Sequence, residues 1–349
     1  MPDNAIVDLR SDSVTKPSPE MRRAMAEALV GDDGREGDPT AQRLERMAAE
    51  LTGQEAGLFC TSGTMANLVA LMTHLRPGEE LIAERESHFL RFEAGGYSVI
   101  AGGVARTLPG RAGAMDLGQV AEEIQAGSRL RPRTALICVE NTHNMAGGAC
   151  LTRDYMRRLW QLAVGRGVAV HLDGERIFNA AIALGVPARV LTEGCQSVMF
   201  GLSKGLCAPY GSLLCGSAEF IARARAMRQR VGGNVRQIGH MAAAGIIALE
   251  TMVERLAEDH ANARRLAEGV DRLRPGLVNL ETTQTNIVSL DTGPLGRPAA
   301  EIASKLEAKG VLCLALDEYR IRFVTHRDVN SDQIEQALSA FSELLGPSP

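Results

Sequence analysis

The sequence predicts an α/β protein built on a mainly parallel sheet covered by helices, and three observations support this. Short apolar runs recur between residues 55 and 215, each followed by a helical pattern. Key runs finish on polar residues and glycine, as at Asp173-Gly174 and Ser203-Lys204-Gly205, which sets reactive groups along one edge of the sheet. Beyond about residue 250 the alternation changes to a shorter set of strands and helices, which predicts a second, smaller α+β unit. The division falls within a long predicted helix at 242–266, giving a large unit at 1–250 with an N-terminal arm and a small unit at 251–349.

Composition narrows the class. The 349 residues are 45% hydrophobic and 23% charged, as in a soluble globular protein with room for a large core. A net charge of -4 provides no basic footprint for nucleic acid. Seven scattered cysteines without a CxxC pair imply reduced thiols and a cytoplasmic setting. The opening Met1-Pro2-Asp3-Asn4 does not read as a signal sequence, and no apolar run approaches a membrane span.

In order, an arm at 7–17 leads to a helix at 19–29. The glycine- and acid-rich stretch 31–40 then reads as a loop, either a solvated linker or part of an active site. Asp38 or Thr40 caps the helix 41–52. A strand at 57–60 runs into Thr61-Ser62-Gly63-Thr64 and a helix to 75; small hydroxyl and glycine residues at a helix start suit a phosphate, although they also make an ordinary N-cap. Strands at 81–83 and 135–139 follow, the first leading to His88 and the second to Glu140-Asn141-Thr142-His143-Asn144. Such a density of polar residues exceeds what capping the next helix, from Thr152, requires. Strands at 167–173, 197–201 and 212–215 complete the large unit. The small one has strands at 286–290, 311–315 and 319–325 and helices at 299–309 and 331–345. Arg320 and Arg322 alternate with apolar residues, so one face of their strand is basic and suited to bidentate binding of a carboxylate.

Lys204 and Asp173 decide the chemistry. Alone, Lys204 also reads as a surface lysine past a strand end, and Asp173-Gly174 as a turn. Delivered together by neighbouring strands, they match what pyridoxal 5'-phosphate needs: an amine for a Schiff base and a carboxylate to keep the pyridine nitrogen protonated. His88 falls where a ring could stack on such a cofactor and exchange protons near neutral pH.

These residues resemble the threonine aldolase family of fold-type I pyridoxal phosphate enzymes. The resemblance runs in order through Asp8-Leu9-Arg10-Ser11-Asp12, Gly31-Asp32-Asp33, Asp38-Pro39-Thr40, Glu93-Ala94-Gly95-Gly96, Glu140 to Asn144, Asp173-Gly174-Glu175-Arg176, Leu202-Ser203-Lys204-Gly205, Arg236-Gln237 and Val324-Thr325-His326. It implies an aldolase that cleaves L-β-hydroxy-α-amino acids such as threonine, allo-threonine or phenylserine into glycine and an aldehyde. It further implies that Ser62, Gly63, Thr64 and Ser203 hold the phosphate, with Arg236 from a neighbouring subunit of a homodimer or homotetramer that shares its active sites. Arg176, Arg322 and Ser11 would hold the substrate carboxylate or the cofactor's phenolic oxygen, and His88 or His143 would take the β-hydroxyl proton. No metal is required, and no metal-ligand spacing is present.

Departures from the family pattern bear on the substrate. Arg35 stands where an aromatic residue is usual, and is expected to alter selection at the β-substituent; Glu175 replaces an alanine. The competing enzyme is a β-eliminating lyase or dehydratase, which would release ammonia and a keto acid. An inactive cofactor-binding regulator would be expected to lack Lys204 or Asp173, and a nicotinamide dehydrogenase would need a glycine fingerprint that is absent.

Overall fold

Seven strands form the central sheet of the computed structural model, which describes residues 6–345: Ala56–Cys60 (β1), Glu80–Glu84 (β2), Val104–Leu108 (β3), Thr134–Glu140 (β4), Ala169–Asp173 (β5), Ser197–Gly201 (β6) and Ser212–Gly216 (β7). Met1 to Asn4, read above for a leader, lie outside the described residues. Their spatial order is β1-β7-β6-β5-β4-β2-β3, and all neighbours are parallel except β7, which runs antiparallel to β1 and β6. Strands β2, β4, β6 and β7 are buried along their whole length, which explains why they read as continuous apolar runs. The edge strand β3 escapes such a reading because Arg106 and Thr107 interrupt its apolar character.

Helices cover the sheet and begin where side chains cap them. Asp38 accepts from the amides of Thr40 and Ala41, both at 3.0 Å, to start Pro39–Thr52. Ser62 accepts from Met65 to start Gly63–His74, and Thr152 from Tyr155 to start Arg153–Arg166. Among the described residues no helix is long and apolar enough to cross a membrane.

The predicted long helix at 242–266 is two helices, Gly239–Thr251 and Leu256–Leu273. No glycine or proline marks the break; packing does. The first helix buries Ala242, Ala244, Ala248 and Leu249 in the core around the central sheet, whereas the second turns Ala263, Leu266, Ala267 and Val270 into a separate core. Arg255 at the corner forms a forked pair with Asp259, at 2.6 and 3.1 Å, within the first turn of the second helix. The predicted strand at 311–315 is likewise divided. Val311–Leu312 pairs in parallel with Val7–Asp8, while Leu314–Ala315 (β9) joins Ile287–Asp291 (β8) and Arg320–Val324 (β10) in an antiparallel sheet ordered β8-β10-β9.

The arm at the start of the chain therefore belongs to the second core: Val7 and Leu9 are fully buried there beside Ile302, Val311 and Phe341. Replacing Leu9 by Ala is expected to cost about 2–5 kcal/mol, as for other buried leucines. A chemical denaturation midpoint unchanged from wild type would contradict this packing.

Candidate functional site

The carboxyl ends of the parallel strands gather the polar residues. Asp173 ends β5, Lys204 lies three residues beyond β6, His88 follows β2, and Glu140 ends β4. Ser62 and Gly63 stand at the start of the helix that follows β1. Parallel strands pointing the same way bring these positions, distant in sequence, to one edge.

Asp173 is buried, and its carboxylate accepts from the Asn67 side-chain amide at 2.8 Å and the Glu175 amide at 3.2 Å. Burial, reinforced by the neighbouring Glu140, pushes its carboxyl up to about 7; only His88 opposes among its strong neighbours. Asn67 also donates to Glu93 at 3.0 Å, and its oxygen meets His171 Nε2 at 3.1 Å. His171 Nδ1 faces the Ser197 hydroxyl, which in turn faces His74 Nε2, both at 2.8 Å. Burial drives both rings neutral, His171 down to about 4 and His74 to about 3. A relay of neutral groups thus fixes the Asn67 amide so that its N–H groups face the two acids.

His88 Nδ1 lies 2.9 Å from Glu93, and the ring is 31% exposed. Burial works against its charge, but the Glu93 hydrogen bond and the carboxylates of Asp173 and Glu140 outweigh it and raise its pKa above the ordinary value. Glu140 accepts from the backbone amides of His88 at 2.7 Å and Asn144 at 2.8 Å, tying two strand-end loops together. His143 is buried more deeply, with Nε2 3.0 Å from Glu84 and no partner at Nδ1. Burial lowers its pKa, yet Glu140 and Glu84 leave it raised overall. The ligand atoms of His88, Glu93 and Asp173 lie within 4.8 Å of one another, a proximity that sequence spacing does not announce.

Two arginines serve different partners. Arg176 is buried and forked onto Asp12, with both bonds at 2.7 Å, so the face of its guanidinium suited to a carboxylate is already taken. Ser11, next to Asp12, accepts from the Ser13 amide at 3.2 Å and caps a single turn of the arm. Among the described residues, Arg322 on β10 donates only to neutral oxygens, Asn144 Oδ1 at 2.7 Å and Arg10 O at 3.3 Å, and its buried Nε has no partner. Burial, and then the charge of Arg176, depress its pKa to about 10. Such a guanidinium keeps hydrogen-bonding capacity for a carboxylate.

Arg35 and Arg236 stand apart from this group. Both pair with Asp32 in the loop before Asp38, at 3.6 and 3.1 Å, and their side chains are 77% and 60% exposed. Asn67 escaped the sequence reading although a signal existed: it is a polar residue in the apolar run Met65-Ala66-Asn67-Leu68-Val69, one turn into a helix.

Known proteins share this fold. A fold-type I architecture is shown by a solved threonine aldolase from Leishmania major, which superposes with a TM-score of 0.83 over 97% of this chain and 100% of its own at 16% identity. The profile of the beta-eliminating lyase family matches residues 8–292, and the chain belongs to that family. Within it, a probable low-specificity L-threonine aldolase 2 of Arabidopsis thaliana is 43% identical over 97% of both chains. A low specificity L-threonine aldolase of Escherichia coli strain K12 is 41% identical over 97% of this chain and 99% of its own.

In the protein free of cofactor, raising the folded pKa of Asp173 means that ionising it opposes folding. Its stabilising contribution is present below the unfolded value and is lost as pH rises from about 4 to about 7. Asp173→Asn should therefore gain stability relative to wild type across that window in urea melts. A difference independent of pH would show that the carboxyl titrates normally.

Proposed function

We propose that the chain is a pyridoxal phosphate-dependent carbon–carbon lyase that cleaves threonine and related L-β-hydroxy-α-amino acids to glycine and an aldehyde. The observation that carries this is the presence of buried Asp173 and of Lys204 at one sheet edge, together with an Arg322 guanidinium whose Nε lacks a partner among the described residues. The near full-length similarity to low-specificity threonine aldolases supports the reaction and its substrates.

The residues present fit the cofactor. Asp173 lies among Glu93, Glu140 and Glu175, so a protonated ring nitrogen placed against it relieves an anionic surplus. The first turn of Gly63–His74 offers backbone amides to an anion, with Ser62, Thr64 and Ser203 adjacent in sequence to the groups concerned. Lys204 would supply the anchoring amine, His88 would cover the ring, and Arg236 of the partner subunit would complete the phosphate site. The chemistry supplied by bound pyridoxal phosphate is an electron sink for the pair released when Cα–Cβ breaks.

The chain's own residues do the rest. Arg322, which also reaches the Arg10 carbonyl next to Ser11 in the arm, would hold the substrate carboxylate and so orient the groups at Cα. Arg176, committed to Asp12, keeps the arm in place and has its remaining nitrogen for the phenolic oxygen. His88 Nε2 is the ring nitrogen left free by the Glu93 contact, and in its neutral form it can take the β-hydroxyl proton; His143, held by Glu84, is the alternative base. The proposed setting is a soluble cytoplasmic homodimer or homotetramer, with a large domain within 1–250 and a small one at 251–349, onto whose core the N-terminal arm of the first is packed.

Incubating the purified holoenzyme with L-threonine and L-phenylserine should yield glycine with acetaldehyde or benzaldehyde, and Lys204→Ala should lose both the products and the visible cofactor band. Ammonia with a keto acid would instead establish β-elimination, the other reaction open to this family. Arg35→Tyr should change the relative rates on threonine, phenylserine and β-hydroxyaspartate; equal ratios in variant and wild type would remove Arg35 from substrate selection.

A further inference from the structure

Glu175 is the charged residue at this edge that the proposed reaction leaves without a task. Its Oε1 lies 3.3 Å from Lys204 Nζ, and both side chains are largely shielded from solvent. A Cβ built on Gly63 would collide with Glu175 Oε2, and one built on Gly201 would collide with Oε1. The carboxylate is therefore wedged between the first residue of the helix Gly63–His74 and the last residue of β6, in a gap that exists because both positions are glycine.

That gap coincides with the proposed phosphate seat. Carboxylate and phosphate are attracted to a helix N-terminus for the same reason, the unsatisfied amides and the positive end of the helix dipole. They cannot share it, because two like charges a few ångströms apart repel strongly at a partly desolvated site. Lys204, the cation that would anchor the cofactor, is the group that Glu175 holds.

We propose that Glu175 is a built-in competitor for the cofactor phosphate: its carboxylate occupies the Gly63 seat in the cofactor-free protein and must swing out before the phosphate enters. This rests on the cofactor reading above and adds a property of this chain, weakened and slowed cofactor loading. The repulsion acts on the phosphate group alone, which separates it from any general effect on Lys204.

The test compares cofactor-stripped wild type, Glu175→Gln and Glu175→Asp. Each is titrated with pyridoxal 5'-phosphate and with pyridoxal, which carries the same aldehyde without the phosphate, following the visible absorbance of the condensed lysine. Glu175→Gln removes the charge; Glu175→Asp keeps it but shortens its reach, and covers the case in which the first variant folds poorly. The expected result is pyridoxal phosphate binding about ten-fold tighter in both variants, from removing or withdrawing one nearby charge, with pyridoxal binding changed by less than about two-fold. Unchanged affinity for pyridoxal phosphate, or equal gains for both aldehydes, would overturn the proposal. A wild-type chain that develops no visible band with either aldehyde overturns the cofactor reading itself, and this proposal with it. A band in wild type with no difference in the variants overturns the role of Glu175 alone.

Discussion

Burying Asp173 at the end of β5 costs it solvation that only a few fixed groups replace, and the arrangement of the edge follows from that. Asn67 donates to Asp173 and to Glu93 with the two hydrogens of one amide, so one donor group holds the two acids side by side. The amide can do so only because His171, buried and neutral, fixes its oxygen. His88 then joins the same network through Glu93. An acid in a desolvated place without a cation bonded to it is costly to ionise and attracts a group that brings a proton to it.

The substrate end depends on a different constraint, the ion pair of Asp12 with Arg176. It fastens the N-terminal arm across the end of the sheet, while Val7 and Leu9 of that arm are buried in the C-terminal core. Asn286, just before β8, donates to the same Asp12 at 3.1 Å. Arm, central sheet and small sheet thus meet at one carboxylate. Because Arg176 is neutralised there, the two arginines differ in their partners: Arg176 is buried on a carboxylate, whereas half-buried Arg322 has no anionic partner among the described residues. A bidentate pair of this kind is chiefly a device of position, since burying both ions offsets much of their attraction.

Much of this was legible in the sequence, for physical reasons. Strands buried along most or all of their length are largely apolar inside, so β2, β4, β5, β6 and β7 announced themselves, and so did the polar residues at their ends. The edge strand β3 did not, because exposure removes the pattern. The break after Thr251 was hidden because it answers to two cores competing for successive faces of one helical sequence, which local propensity does not record. At the site, residues that end strands were readable, whereas Asn67, inside a helix, and the division of labour between Arg176 and Arg322 were not. Those depend on which carboxylate lies opposite in space.

Arg35, in the loop before Asp38, and Arg236, in the loop before the helix Gly239–Thr251, meet at Asp32 away from the sheet edge. Both cations are mostly exposed and share Asp32, a carboxylate itself partly open to water. Exposed pairs of this sort contribute little to stability, so these side chains are cheaply redirected. The edge around Lys204, by contrast, carries Glu93, Glu140, Asp173 and Glu175, and a phosphate would add further negative charge to it. A cation presented from outside the chain relieves that surplus, and one presented by a second copy arrives with fixed geometry. This supports the proposed assembly, in which Arg236 of the partner subunit completes the phosphate site, and Arg35, held by the same Asp32, would be presented alongside it.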